Sequence, residues 1–310
     1  MQKDFLSILD LTSDELSGCL DLAARLKADR PLRRNAPTAN ALEGRHVAML
    51  FDKPSLRTMA TFEIAVRELG GEIIEPPADS TLGGREALSD VALNLERWVA
   101  AAIIRTFAQA RLVEFARVTS RLHVVNALSD AEHPCQALAD MLTLRERWGA
   151  LDGRVLTFVG DGNNVATSLA QAGAMLGLRV RVASPDGYQL SNHIVEAATA
   201  GGRLGSIERF VDAGEAVAGA DAVYTDTWTS MGQEDESAAR RRAFQPYQAN
   251  AALLAKAKPD AVFMHCLPAH RGEEVTDEVI DSTASIVLEQ SENRLHTEKA
   301  LLAMLLAERR

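Results

Sequence analysis

Short apolar runs alternate with longer amphipathic stretches along the whole chain, and this alternation constrains the fold more than any other feature. Runs at 46–51, 101–104 and 124–127 in the first half, and at 155–159, 179–183, 222–225, 261–265 and 285–288 in the second, read as strands. Between them, stretches such as 59–69, 87–98 and 136–147 carry the spacing of amphipathic helices. Strand and helix in repeated succession call for parallel sheets with helices on both faces, an α/β fold. The 310 residues exceed one ordinary hydrophobic core and suit two domains. A long helical pattern ends at Gly149, and a new strand starts after Asp152-Gly153. The expected organisation is a first domain over 1–148, a second over 149–290, and a C-terminal helix, 291–310, returning to the first.

The bulk numbers exclude several classes of function. Apolar residues make up 47% and charged residues 25%, the balance of a soluble globular protein. The net charge of −10 argues against nucleic acid or an anionic membrane as partner, because phosphate backbones need clustered Lys and Arg. A small anionic substrate remains compatible, since one pocket can be basic on an acidic protein. Cys19, Cys135 and Cys266 are odd in number and widely spaced, which suits neither a disulfide framework nor a metal-binding spacing. The reading is a reducing, cytoplasmic setting. Met1-Gln2-Lys3-Asp4 lacks the basic-then-apolar pattern of a signal peptide, and no uncharged apolar run reaches the roughly 18 residues of a membrane span.

In open α/β sheets ligands bind outside the carboxyl ends of the strands. Four polar clusters sit there. Lys53-Pro54-Ser55-Leu56-Arg57-Thr58 follows the run ending Leu50-Phe51 and opens a helix that Gly70-Gly71 closes. Free backbone N–H groups, the Ser55 and Thr58 hydroxyls and Arg57 make a phosphate cradle, or simply a helix cap with an exposed arginine. Arg105 ends the run 101–104, where it is either a second fork donor to an anion or a surface ion-pair partner. His133-Pro134-Cys135-Gln136 follows the run 124–127. His133 can donate to a carbonyl oxygen that gains charge in a transition state, or cap the helix starting at Pro134. Gln136 has the donor and acceptor needed to hold an amide-like NH2.

Gly160-Asp161-Gly162-Asn163-Asn164 resembles a dinucleotide fingerprint only loosely, since Val165 stands where the third glycine belongs. It reads as a tight turn whose helix N-terminus and Asn164 can bind a carboxylate. Asp226, after the run 222–225, can pair with a substrate ammonium. The polar stretch 233–242 beyond it shows no convincing alternation and reads as a solvated loop or a mobile lid. His265-Cys266-Leu267-Pro268 ends the run 261–265. No orienting Asn or Asp is evident for a Cys–His nucleophile, so Cys266 reads as a thiol beside an incoming amine, or as a structural cysteine.

Taken together and in this order, the markers Ser55-Leu56-Arg57-Thr58, Arg105-Thr106-Phe107, His133-Pro134-Cys135-Gln136, 160–164, 226–232, His265-Cys266-Leu267-Pro268 and Glu292-Asn293-Arg294 resemble the aspartate/ornithine carbamoyltransferase family. Asp226 with Ser230-Met231-Gly232, and the His265–Pro268 motif, resemble its ornithine branch. The resemblance runs nearly end to end. It implies transfer of the carbamoyl group of carbamoyl phosphate to the side-chain amine of L-ornithine, giving citrulline and phosphate in arginine metabolism. Ser55, the Leu56 backbone, Arg57, Thr58 and Arg105 would bind the phosphate. His133, Arg294 and Thr58 would polarise the carbamoyl carbonyl, and Gln136 would hold its NH2. Asn164, Asp226, Ser230 and Met231 would hold the α-amino and α-carboxylate groups of ornithine, with Cys266 and Leu267 near the side-chain amine. No metal and no organic cofactor are implied, because the donor is already activated. The partners implied are the two small substrates and copies of the same chain, as a homotrimer or a multiple of trimers.

Three positions depart from the commonest family pattern. Leu56 replaces a frequent Thr but keeps its backbone N–H. Met59 replaces a frequent Arg. Thr81 stands where many relatives have a Gln that reaches into the adjacent subunit's site, so that contact is not carried over. The alternatives are a carbamoyltransferase with another amine acceptor, a nucleotide-binding dehydrogenase, and a non-catalytic scaffold. Asp226 opposes aspartate as acceptor by charge, and the broken glycine pattern opposes the dehydrogenase.

Overall fold

The computed structural model describes residues 1–77, 81–82, 84–200, 204–230, 232 and 234–306. The chain divides into two compact units. One comprises Met1–Leu142 together with the chain from Glu292 on, the other Thr143–Ser291.

The first unit is built on a four-stranded sheet in the order β2-β1-β3-β4, with β1 His46–Phe51, β2 Glu72–Ile74, β3 Ala101–Arg105 and β4 His123–Leu128. Every pairing is parallel. Val47, Ala48, Leu50, Ile103, Ile104, Val124 and Val125 are all fully buried, as strands covered on both faces must be. Leu50, Ile104 and Val124 pack with Val91 and Leu95 of the Leu88–Trp98 helix and Phe115 of the Gln109–Val118 helix. The chain start is tied down as well, since the Phe5 N–H donates to the Val124 carbonyl at 2.8 Å. The last helix, Val287–Leu306, joins this unit from Glu292 on. Lys299 Nζ lies 2.7 Å from Glu68 Oε2, and Lys27 Nζ donates to Asn293 Oδ1 at 2.8 Å.

The second unit holds a five-stranded parallel sheet in the order β7-β6-β5-β8-β9. Its strands are β5 Val155–Val159, β6 Arg179–Ala183, β7 Ser206–Phe210, β8 Ala222–Thr225 and β9 Val262–His265. β5 lies at the centre and is buried throughout. In both sheets the strand order reverses once, between β1 and β3 and between β5 and β8. Connections leave such a point in opposite directions, which opens a crevice at the carboxyl ends of the two neighbours. Pairing Phe51 with Arg105 puts the loop after β1 beside Arg105. Pairing Val159 with Thr225 puts the glycine turn beside Asp226.

The structure corrects the sequence reading at several elements. Residues 285–288 form no strand: Ser285 makes one isolated bridge to Phe263, and the helix already begins at Val287. Two strands went unread. β2 has three residues and a half-exposed face, and β7 carries Glu208 and Arg209 at the sheet edge, where charge blunts strand addition. Where the sequence reads as a solvated loop or a mobile lid, a helix spans Ser237–Phe244. Its Arg240 is 4% exposed, because the guanidinium meets Asp161 at 2.9 Å and lies over the rings of Tyr188 and Phe244.

Candidate active site

In the first unit the loop after β1 ends in a capped helix. Ser55 is the N-cap of the Leu56–Glu68 helix, accepting from the Thr58 N–H at 3.3 Å. Pro54 therefore precedes the helix and does not open it. Ser55 and Arg57 are half-buried, Leu56 is 80% exposed and Thr58 is fully buried. Arg105 closes β3, and its carbonyl accepts from the Asp52 N–H at 2.9 Å, which locks the two loops side by side. Asp52 in turn accepts from Thr106 Oγ1 and Arg111 Nη1 at 2.8 and 2.7 Å. Lys53, unassigned at the sequence level, is 7% exposed with its ammonium 3.9 Å from the Phe107 ring centre.

His133 caps the Pro134–Trp148 helix with its backbone, its carbonyl accepting from the Gln136 and Ala137 N–H groups, while its ring is buried. Burial, then the charge of Arg294, then that of Arg105 push this imidazole well below its ordinary value. It is therefore neutral near pH 7 and has one N–H to donate. The same influences bring His133, Arg294 and Arg105 into one neighbourhood. Arg294 Nη2 donates to Thr58 Oγ1 at 2.7 Å and to Glu298 Oε1 at 3.1 Å. Gln136 Nε2 donates to Asp140 Oδ1 at 2.8 Å. That acceptor fixes the amide orientation and leaves Gln136 Oε1 buried with no hydrogen-bond partner among the described residues.

In the second unit the glycine turn packs tightly. A Cβ on Gly162 would lie 2.6 Å from the Leu190 nitrogen, so only glycine fits. The N-cap of the Asn164–Met175 helix is Asn163, which the sequence reading passed over in favour of Asn164. Asn163 Oδ1 accepts from Val165 and Ala166 N–H groups, and its Nδ2 donates to Asp226 Oδ2 at 2.9 Å. Asn164 is half-buried, its Oδ1 accepting from the Val165 N–H at 3.0 Å. Asp226 is 8% exposed. Its second oxygen accepts from the Cys266 thiol at 2.9 Å. Asn163, Asp226 and Cys266 thus form one chain of contacts. Ser230 lies half-buried in the loop after Asp226, and Met231 falls outside the described residues.

Leu267 takes a left-handed backbone with φ of 58°, ahead of a cis bond to Pro268. Its N–H donates to His265 Nδ1 at 2.8 Å, so the ring proton sits on Nε2 and points to Glu274 Oε1 at 3.1 Å. Ligand-type atoms of Asp226, His265 and Cys266 lie within 4.8 Å of one another, as do those of His270, Glu273 and Glu274. Asp226, His265 and Cys266 are already engaged in the hydrogen bonds just described. Burial raises Asp161 to about 6, against the pull of Arg240 and with a push from Asp226.

Comparison with known proteins bears on this arrangement. Residues 3–146 match the carbamoyl-P binding domain of aspartate/ornithine carbamoyltransferase, and residues 152–305 match its Asp/Orn binding domain. The chain belongs to the aspartate/ornithine carbamoyltransferase family. It is 52% identical to the ornithine carbamoyltransferase of Acidothermus cellulolyticus, covering 99% of this chain and 97% of that one. It is 50% identical to that of Parafrankia sp., over 99% and 96%. The solved ornithine carbamoyltransferase of Pyrococcus furiosus superposes with a TM-score of 0.93 at 44% identity, over 98% of this chain and 96% of that one. An N-acetyl-L-ornithine transcarbamylase superposes at 0.85 with 28% identity, over 98% and 100%. The three ornithine carbamoyltransferases just named are nearer in sequence than this relative named for acetylornithine. No helix among the described residues is long and apolar enough to cross a membrane.

Proposed function

We propose that the chain transfers the carbamoyl group of carbamoyl phosphate to the side-chain amine of L-ornithine, releasing L-citrulline and phosphate. The observation that carries this reading is the neutral, buried His133 flanked by Arg294 and Arg105, with Thr58 bonded to Arg294. Such a set suits a doubly charged phosphate and a carbonyl oxygen that gains charge. The names of the relatives supply the ornithine acceptor.

In this reading the first unit is the carbamoyl phosphate domain. Ser55, the Leu56 N–H, Arg57, Thr58 and Arg105 hold the phosphate. His133, Arg294 and Thr58 donate toward the carbamoyl oxygen, and Gln136 Oε1 accepts from the carbamoyl NH2. The second unit is the ornithine domain. Asp226 pairs with the α-ammonium, supported by Asn163; Asn164, Ser230 and the Met231 backbone take the α-carboxylate; Cys266 and the Leu267 carbonyl lie by the side-chain amine. The neutral amine attacks the carbamoyl carbon, a C–N bond forms, and the C–O bond to phosphate breaks. The departing phosphate takes up the extra amine proton. Rate enhancement is positioning and electrostatic stabilisation of the oxyanion and leaving group. A homotrimer in the cytoplasm, serving arginine biosynthesis, completes the reading.

The test is phosphate release from carbamoyl phosphate against a panel of amines. Ornithine should be used far better than lysine, putrescine, aspartate or acetylornithine. Equal use of several amines, or of none, contradicts the assignment.

A further inference from the structure

We propose that Glu298 is a positioning residue for Arg294: its buried carboxylate, one helical turn further on, holds the guanidinium against Thr58 and so sets how well the donor's carbonyl oxygen is polarised. This inference rests on the carbamoyl-transfer reading and adds a residue that the family motifs in this chain do not mark.

The geometry is that of an anchor. Glu298 is fully buried, and its Oε1 accepts from Arg294 Nη2 at 3.1 Å. The same nitrogen donates to Thr58 Oγ1 at 2.7 Å. Among the described residues no other carboxylate reaches Arg294. Arg294 Nε and Glu298 Oε2 are both buried without a hydrogen-bond partner there, so few contacts besides this pair fix the guanidinium. A lone buried carboxylate is costly, and a cation four residues earlier on the same helix face offsets that cost. The pair therefore orients both members.

The groups facing the carboxyl are few. Arg294 comes from its own helix, the Thr61 hydroxyl from the Leu56–Glu68 helix, and the Cys135 thiol from the Pro134–Trp148 helix. Burial raises Glu298 to about 7, against the pull of Arg294 and Thr61. Burial and then Glu298 push Cys135 well up, so that thiol stays neutral. The sign follows directly. Above neutrality the carboxylate is charged and clamps Arg294. Below it the carboxyl is protonated, a weaker acceptor, and the clamp loosens.

The experiment compares wild type with Glu298→Gln by turnover at saturating substrates from about pH 5.5 to about pH 8.5. The ratio of the two profiles cancels the titration of the ornithine amine. At the alkaline end kcat of the variant should be about tenfold lower, the scale of one weakened charged contact. The KM for ornithine should not move. Toward the acid end the wild type should fall to meet the variant, with a midpoint near 7 in the ratio. A ratio that is constant with pH, or equal to one throughout, overturns the proposal. Infrared titration of the wild-type protein gives a reading that needs no variant. A buried carboxylic C=O band should vanish as pH rises through about 7 and should shift when carbamoyl phosphate binds. A carboxyl that is ionised throughout, or that ignores the ligand, sinks the role. Wild-type citrulline formation is the control. Its absence counts against carbamoyl transfer and takes the Glu298 role with it, whereas its presence with a flat ratio removes Glu298 alone.

Discussion

Replacing Asp226 by Asn tests the acceptor half of the reaction with little change in shape. The carboxylate is 8% exposed and accepts two contacts, from Asn163 Nδ2 and from the Cys266 thiol, both at 2.9 Å. An asparagine has one acceptor oxygen, so one of those contacts is lost and an NH2 faces a donor instead. The stability cost is on the order of 1 kcal/mol, one hydrogen bond. Binding suffers more, because the amide cannot pair with an ammonium. A charged hydrogen bond is worth about 1.5–3 kcal/mol. With 1.36 kcal/mol per factor of ten, kcat/KM for ornithine should drop roughly 10- to 150-fold. Citrulline formation at fixed carbamoyl phosphate, with ornithine varied, measures this. The KM for carbamoyl phosphate should stay within about twofold, since an interaction that is absent from the donor's site removes none of its binding. Asp161 should also titrate lower than about 6, because Asp226's charge is one of the influences that raise it. Equal damage to both substrates, or undiminished use of ornithine, would refute the role given to Asp226.

Two further outcomes are expected from the charge environment. His133 is held well below its ordinary value by burial and by Arg294 and Arg105, so its ring should still be neutral at the pH where an ordinary imidazole is half-charged, followed by NMR; a midpoint near the ordinary 6.5 contradicts its environment. Arg240→Ala should destabilise the protein by about 3–5 kcal/mol at pH 7.5, measured by urea denaturation, because it strands Asp161. Asp161 sits above its unfolded value, so the folded state keeps a proton that the unfolded state releases. The stability from that proton is complete below 3.8 and fades as pH rises through about 6. The Arg240→Ala loss should therefore shrink at about pH 5, where Asp161 is protonated; an equal loss at both pH values contradicts the pairing.

The legible parts of the fold were those where burial acts on both faces of a strand. β1 and β5 read correctly to the residue because a strand covered on both sides is a continuous apolar run. β2 and β7 lie at sheet edges, with charged and half-exposed residues, and such strands carry no strong period. Residues 285–288 misled because a short apolar run cannot be told from the start of a buried helix. Arg105 ends β3, and Ser55, Asp226 and Cys266 follow β1, β8 and β9, because a parallel sheet leaves its crevices at strand ends; Arg294, by contrast, lies within the last helix. The missed ones each have a local reason. Asn163 precedes a helix and had the signature of an N-cap. Arg240 lay in a charged stretch that reads as solvated, and its burial follows from distant partners, Asp161, 79 residues earlier, and the ring of Tyr188. Glu298 shares a helical face with Arg294 and the buried Leu301 and Leu305, a spacing that places it inward.

Carbon-13 label in the carbamoyl group tests the central claim most directly. Incubated with labelled carbamoyl phosphate and unlabelled ornithine, the protein should give citrulline labelled at the ureido carbon, one molecule for each phosphate released. Phosphate released without labelled citrulline, or label carried to another amine in preference, would contradict the account.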